Sequence, residues 1–352
     1  MSNSTTDGSI WPGVLLFLVQ FNTYSLTMIA PASCLVGFCA NLLIIVTMLK
    51  QEVKIRSTAR MFYIVIAIGY IGSLVFWNVR EFLTIGLWLL TGGRFYLPLY
   101  SPLICKVFFA LFHLFVLIAI YTIISMSIDL LFLLYFPFKH QVFMTLKRSF
   151  YIILAFVGPI CLIQVPLTFL TVTSYSVASF PVPLCGGLPN HPLYTVYTIS
   201  AIFFTLFLHP PLFGIIEIFI IVKTISISLQ RKKLHREGKG NVLKGAERTI
   251  FVLAVMAILD VFITIPAIGI WSGVMILRAN YPASIAYKIF EALTRFSTTS
   301  ITIGRSINII VYVLIIPSFR RALPCACKWG NDTHNGTSRN AKGCRNKILE
   351  DD

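Results

Sequence analysis

Long, uninterrupted apolar runs dominate this sequence and leave few folds open to it. Seven of them run approximately from Tyr24 to Leu49, Met61 to Leu90, Leu103 to Tyr135, Phe150 to Val172, Leu193 to Ile227, Thr249 to Leu277 and Ile285 to Ile316. A membrane-crossing helix needs about 20 apolar residues, and each run reaches that length. β-Branched residues are frequent in them, which in water would favour strands. In lipid, a continuous run this long satisfies its own backbone polar groups only as a helix. A transmembrane barrel would instead show alternating segments of about 10 residues. Composition agrees: 57% of the 352 residues are apolar and 12% are charged, against roughly 25% charged in an ordinary soluble chain. Disorder, collagen and small disulfide scaffolds are excluded. The expected fold is all-α, a seven-transmembrane-helix bundle. A further apolar run, Ile10 to Phe21, is too short to span and follows no positive residue. It does not read as a signal peptide, and is expected to lie against the outer membrane surface.

The formal net charge is +16. In a soluble protein that would suggest nucleic acid; here position decides. Of the 29 basic residues, 21 fall in alternate connections: Lys50 to Arg60, the loop with Lys139, Lys147 and Arg148, the stretch Arg231 to Arg248, and the tail after Ile316. The intervening connections hold three, Arg94, Arg278 and Lys288. Basic residues collect on the cytosolic side. This predicts an extracellular N-terminus at 1–23, a membrane domain at 24–316 and a cytosolic tail at 317–352, in the plasma membrane, with no nucleic-acid partner.

Of the eight cysteines, Cys34, Cys39 and Cys161 lie within spans. Cys105, at the outer end of the third span, and Cys185, in the loop after the fourth, both face the oxidising side, which permits a disulfide. Cys325 and Cys327 follow a short basic amphipathic stretch and fit palmitoylation, with unmodified thiols as the alternative. Asn3 opens an N-S-T sequon on the outer side and is expected to carry glycan. The sequons at Asn331 and Asn335 are expected to stay silent in the cytosol.

These features come with specific landmarks. The first span has Gly37 and Asn41. The third has Cys105, then Asp129 twenty-four residues later, then Pro137. Pro166, Pro210, Pro211 and Pro266 fall in the fourth, fifth and sixth spans. The seventh holds Asn308 and Tyr312, followed by Phe319, Arg320 and Arg321. In this order the chain resembles the rhodopsin-like G-protein-coupled receptors over roughly residues 24–328. The resemblance implies a short amphipathic cytosolic helix after the last span. It also implies an extracellular ligand, a peptide or chemosensory small molecule, seated under the Cys105–Cys185 loop, and a heterotrimeric G protein met at the inner side. The sixth span would move about Pro266. Several positions depart from that family: Leu130 replaces the Arg that contacts the G protein, Tyr70 the sodium-binding Asp, Ile309 the Pro of the last motif. A receptor-like protein without coupling, a ligand sink or dimer partner, is therefore the alternative, with a transporter behind it.

Ligand candidates are Phe112, His113, Glu291 and Arg295. Phe112 stands where receptors for amines carry Asp, which argues against an amine. Glu291 and Arg295 are spaced to pair on one helix face. Ionisable residues deep in spans are costly and point to function; Glu217, Asp260 and Arg305 qualify. Asp260 and Arg305 are expected to form a buried ion pair. Asp129 is expected to pair with Lys139 or His140. Membrane lipid is a further partner. No phosphate loop, nucleophile elbow or metal-spaced His/Asp cluster occurs, so neither enzymatic activity nor cofactor nor metal is expected.

Overall fold

The computed structural model describes residues 10–50, 56–78, 86–94, 102–177, 180–187, 203–235 and 284–306, with isolated positions between them. Helix α1 (Ile10–Tyr24) passes through a π-helical turn, Ser25–Ile29, into α2 (Ala30–Leu49). Then come α3 (Ser57–Asn78), a single turn α4 (Leu87–Leu90), the long α5 (Pro102–Tyr135), a short α6 (Pro137–Phe143) and α7 (Leu146–Thr171). Strands β1 (Val172–Val177) and β2 (Phe180–Gly187) follow. A second π-helical turn, Phe203–Leu208, leads into α8 (His209–His235), and α9 (Ile285–Ser306) closes the described chain.

Both π-helical turns have the same cause. A proline ring blocks the hydrogen bond to the residue four positions earlier. Pro31 projects that defect onto Thr27, and Pro210 and Pro211 onto Leu206 and Phe207. All three targets lie inside the two π-helical turns. The widened turn keeps the helix continuous where it would otherwise break. At the second turn Tyr121 of α5 donates its hydroxyl to the Phe204 carbonyl at 2.8 Å.

Among the described residues four helices are long and apolar enough to cross a membrane: Gly13–Leu49, Ser57–Asn78, Leu103–Tyr135 and Leu146–Thr171. The protein is thus a multi-pass, mostly helical membrane protein. The seven-transmembrane-helix bundle expected from sequence is corrected by this finding. The reasons differ along the chain. Helix α9 carries Lys288, Glu291, Arg295 and Arg305 within its 22 residues, too many charges for an apolar span. Most of the expected sixth span, and the amphipathic helix expected after the seventh, lie outside the described residues. The run at Ile10 to Phe21 also differs from expectation. It forms the first turns of one helix continuous with α2, and it packs on α9. There Asn22 donates to the Ala292 carbonyl at 3.0 Å, Ser25 and Thr299 share a hydrogen bond of 2.8 Å, and Leu18 packs with Ile289 and Ala292.

Helix α5 is the hub. It packs against α3, α7, α8, α6 and β1, and the main core gathers around it with Phe62, Tyr63, Tyr121 and Phe213 fully buried. Lipid offers helices no hydrophobic reason to associate, so close approach through small residues does that work. A Cβ on Gly72 would fall inside the Phe115 ring, and one on Gly69 would lie 2.9 Å from Ala119. At the other end of the seam Phe76 stacks on Phe115 at 5.7 Å.

The hairpin β1–β2 was not expected. It pairs antiparallel with Val172 opposite Gly187 and Ser174 opposite Cys185, and an irregularity between Tyr175 and Val177. Val172 is buried with Cys105, Phe109 and Leu167, which docks the hairpin on the start of α5.

Candidate functional site

At the opposite end of α5, three chain segments converge on one carboxylate. Pro137 disfavours helical geometry at the residue before it, and Phe136 leaves the helix at φ −133° and ψ 61°. The chain restarts at once as α6, which brings His140 back over the last turns of α5. His140 Nε2 donates to Asp129 Oδ1 at 2.9 Å. Arg56, on the residue before α3, donates from Nη2 to Asp129 Oδ2. Both Asp129 and His140 are 2% exposed, while Arg56 is 34% exposed at its rim.

With its Nε2 hydrogen given to Asp129, neutral His140 keeps a lone pair on Nδ1. Arg56 Nη1 lies against the imidazole, 3.3 Å from Nδ1 and 3.2 Å from Nε2. Arg56 Nε donates to Thr58 Oγ1 at 2.8 Å, which fixes the guanidinium at the start of α3. Phe132 covers the imidazole with ring centroids 5.8 Å apart. Burial pushes the His140 pKa below its ordinary value of 6.5, and the Arg56 charge pushes the same way, against the pull of Asp129.

A second buried polar contact lies two residues back on α5. Ser127 Oγ donates to Glu217 Oε1 of α8 at 2.8 Å. Glu217 Oε2 has no hydrogen-bond partner among the described residues, and Phe213, Ile216 and Ile220 beside it on α8 are buried in the core. Two residues turn a helix by roughly 200°. Helix α5 is therefore tied on opposite sides, to α8 by Ser127 and to α3 and α6 by Asp129.

Of the two partners expected for Asp129, the structure selects His140; the Lys139 ammonium instead sits 5.7 Å over the Phe136 ring. Arg56 entered the sequence reading only as a loop charge and is the residue that reading missed. Leu130 is buried in the core next to the cluster. Asn41 donates to the Gly37 carbonyl at 2.7 Å. Phe112 and His113 lie on α5, half-buried, with their rings in an edge contact at 5.5 Å. Glu291 is exposed on α9, and Pro266 is exposed. Cys105 is disulfide-bonded, and position 185 lies on β2, which packs near the start of α5. The side chains of Cys185, Arg295 and Arg305 lie outside the described residues, as do Asn3, Asp260, Asn308, Tyr312, Cys325 and Cys327. The Glu291–Arg295 and Asp260–Arg305 pairs therefore fall outside what the structure describes.

No known protein-family model matches the chain, and no curated protein matches it. The receptor resemblance is corrected accordingly. It rested on landmark spacing within seven spans, and the described structure holds four candidate spans. The extracellular ligand and the heterotrimeric G protein were implied by that architecture alone and are withdrawn with it, as are the uncoupled-receptor and transporter alternatives.

Proposed function

We propose that this chain is a multi-pass plasma-membrane protein without enzymatic activity, governed by a charge latch on its cytosolic side. The N-terminus lies outside, and the connections that hold Arg56 and His140 face the cytosol. The basic-residue census supports that orientation, because Arg56 and His140 both belong to segments on the positive side. The absence of nucleophile, phosphate-loop and metal-spacing motifs from the sequence supports a non-catalytic role.

The observation that carries the latch is a single buried carboxylate with each oxygen held by a different segment, one before α3 and one in α6. Asp129 is held from both sides by Arg56 and His140. A second proton on His140 would place a cation directly against the Arg56 guanidinium. The folded-state pKa of His140 is lowered, so the folded protein binds that proton less readily than the unfolded chain. The contribution to stability is present above pH 6.5 and is lost as pH falls from there through the lower folded value. The latch is closed at neutral pH and released by acid.

Hydrogen exchange on the full chain in lipid nanodiscs tests this. The protection of residues 137–143, taken relative to the intrinsic amide exchange rate at each pH, is expected to be lower at about pH 5.5 than at about pH 7.5, and Arg56→Gln should lower it at the higher pH. Protection in α6 that ignores both changes would remove the latch.

A further inference from the structure

The same short helix that turns His140 inward presents a different surface outward. Phe138 is 84% exposed, and Phe136, Val142 and Phe143 are exposed beside it. Exposed apolar positions continue along α7 as Leu146, Phe150 and Leu154. That spacing of four marks one face of a helix, and α7 is one of the candidate spans.

Basic residues interleave with this surface. Lys139, Lys147 and Arg148 are all exposed, and the sequence has no acidic residue between Asp129 and Glu217. The charged heads of Lys139 and Arg148 are held on the aromatic rim. Arg148 Cζ lies 5.5 Å over the Phe143 ring, and its Nη1 donates to the Phe143 carbonyl at 3.1 Å. Lys139 lies over Phe136 in the same way. Aromatic rings flanked by cations, continuous with a membrane-crossing face, are what the headgroup zone of a bilayer selects. A protein partner would leave the continuity with α7 without a reason.

We infer that α6 and the first turn of α7 lie in the membrane interface and bind anionic phospholipid. Phe138, Val142 and Phe143 enter the acyl boundary, and Lys139, Lys147 and Arg148 hold the headgroup phosphate and carboxylate oxygens. The inference stands on the multi-pass reading and does not need the latch.

The test uses the full chain in nanodiscs of phosphatidylcholine, with or without about one-third phosphatidylserine. Phe138→Trp in brominated phosphatidylcholine should show fluorescence loss beyond that of the parent chain, with the introduced indole shielded from acrylamide. Phosphatidylserine should raise the Tm of the parent chain by a few degrees, and the triple variant K139Q/K147Q/R148Q should lose that rise. Should Phe138→Trp fail to fold, Val142→Trp gives the same readout. An indole open to acrylamide and untouched by brominated lipid would overturn the inference, because the face would then point to water or to a protein. A phosphatidylserine effect retained in the triple variant, or reproduced by free phosphate in neutral discs, would overturn the headgroup assignment.

Discussion

Helices α3 and α5 meet twice, and by different physics. Midway along their contact they meet by shape: Gly69 and Gly72 let the backbones close on Ala119 and Phe115. At the end near α6 they meet by charge, through Arg56, Asp129 and His140. The shape contact has one closed state, since nothing in it titrates or changes size. The charge contact has two, since a proton on His140 sets a second cation against Arg56. One helix pair thus carries a fixed seam and a releasable end.

The largest effect belongs to the seam. Gly72→Leu drives a side chain into the Phe115 ring, and overpacking of this kind costs about 3 kcal/mol. It should sharply reduce the monodisperse protein recovered by size-exclusion in detergent. Gly158→Leu on α7, where a Cβ meets open space, should be tolerated. Equal losses would show that the seam is not special. Next comes Asp129→Ala, which leaves a buried His140 donor without its acceptor and should cost about 2 kcal/mol. Its Tm in nanodiscs should fall clearly below that of the parent. Arg56→Gln should cost about 1 kcal/mol, less than Asp129→Ala, because the guanidinium already reaches solvent at its rim. The smallest effect is that of pH. Tm should fall on going from about pH 7.5 to about pH 5.5, and His140→Asn should flatten that slope. A slope unchanged in His140→Asn would assign the titration elsewhere.

Much of this was legible in the sequence, and the limits have physical causes. Apolar run length identified a multi-pass helical protein and placed the cores of α2, α3, α5 and α7. It overcounted spans, because length and mean apolarity do not weigh the four charges that α9 carries among its apolar residues. The run at Ile10 to Phe21 was judged alone, although the backbone stays helical through the π-helical turn at Ser25–Ile29 and joins it to α2. The hairpin was not expected because residues 173–187 hold no long apolar run; the Val, Thr and Tyr residues of Val172–Val177, which favour strands, were the available signal. At the site, Asp129 was singled out by its spacing from Cys105 in the receptor resemblance, and His140 was one of two partners, with Lys139, that the next connection offered. Arg56 lies 73 positions from Asp129. Only the antiparallel pairing of α3 with α5 brings it there, and no local pattern encodes that pairing.

Arg56 and Asp129 act as one unit. The direct measurement is a double-mutant cycle of Arg56→Gln and Asp129→Asn, read by thermal unfolding of the full chain in nanodiscs at neutral pH. The account predicts that the double variant loses less stability than the two single losses added together, with a coupling of about 1 kcal/mol or more. Losses that add to within about 0.5 kcal/mol would mean the two residues act independently, and would contradict it.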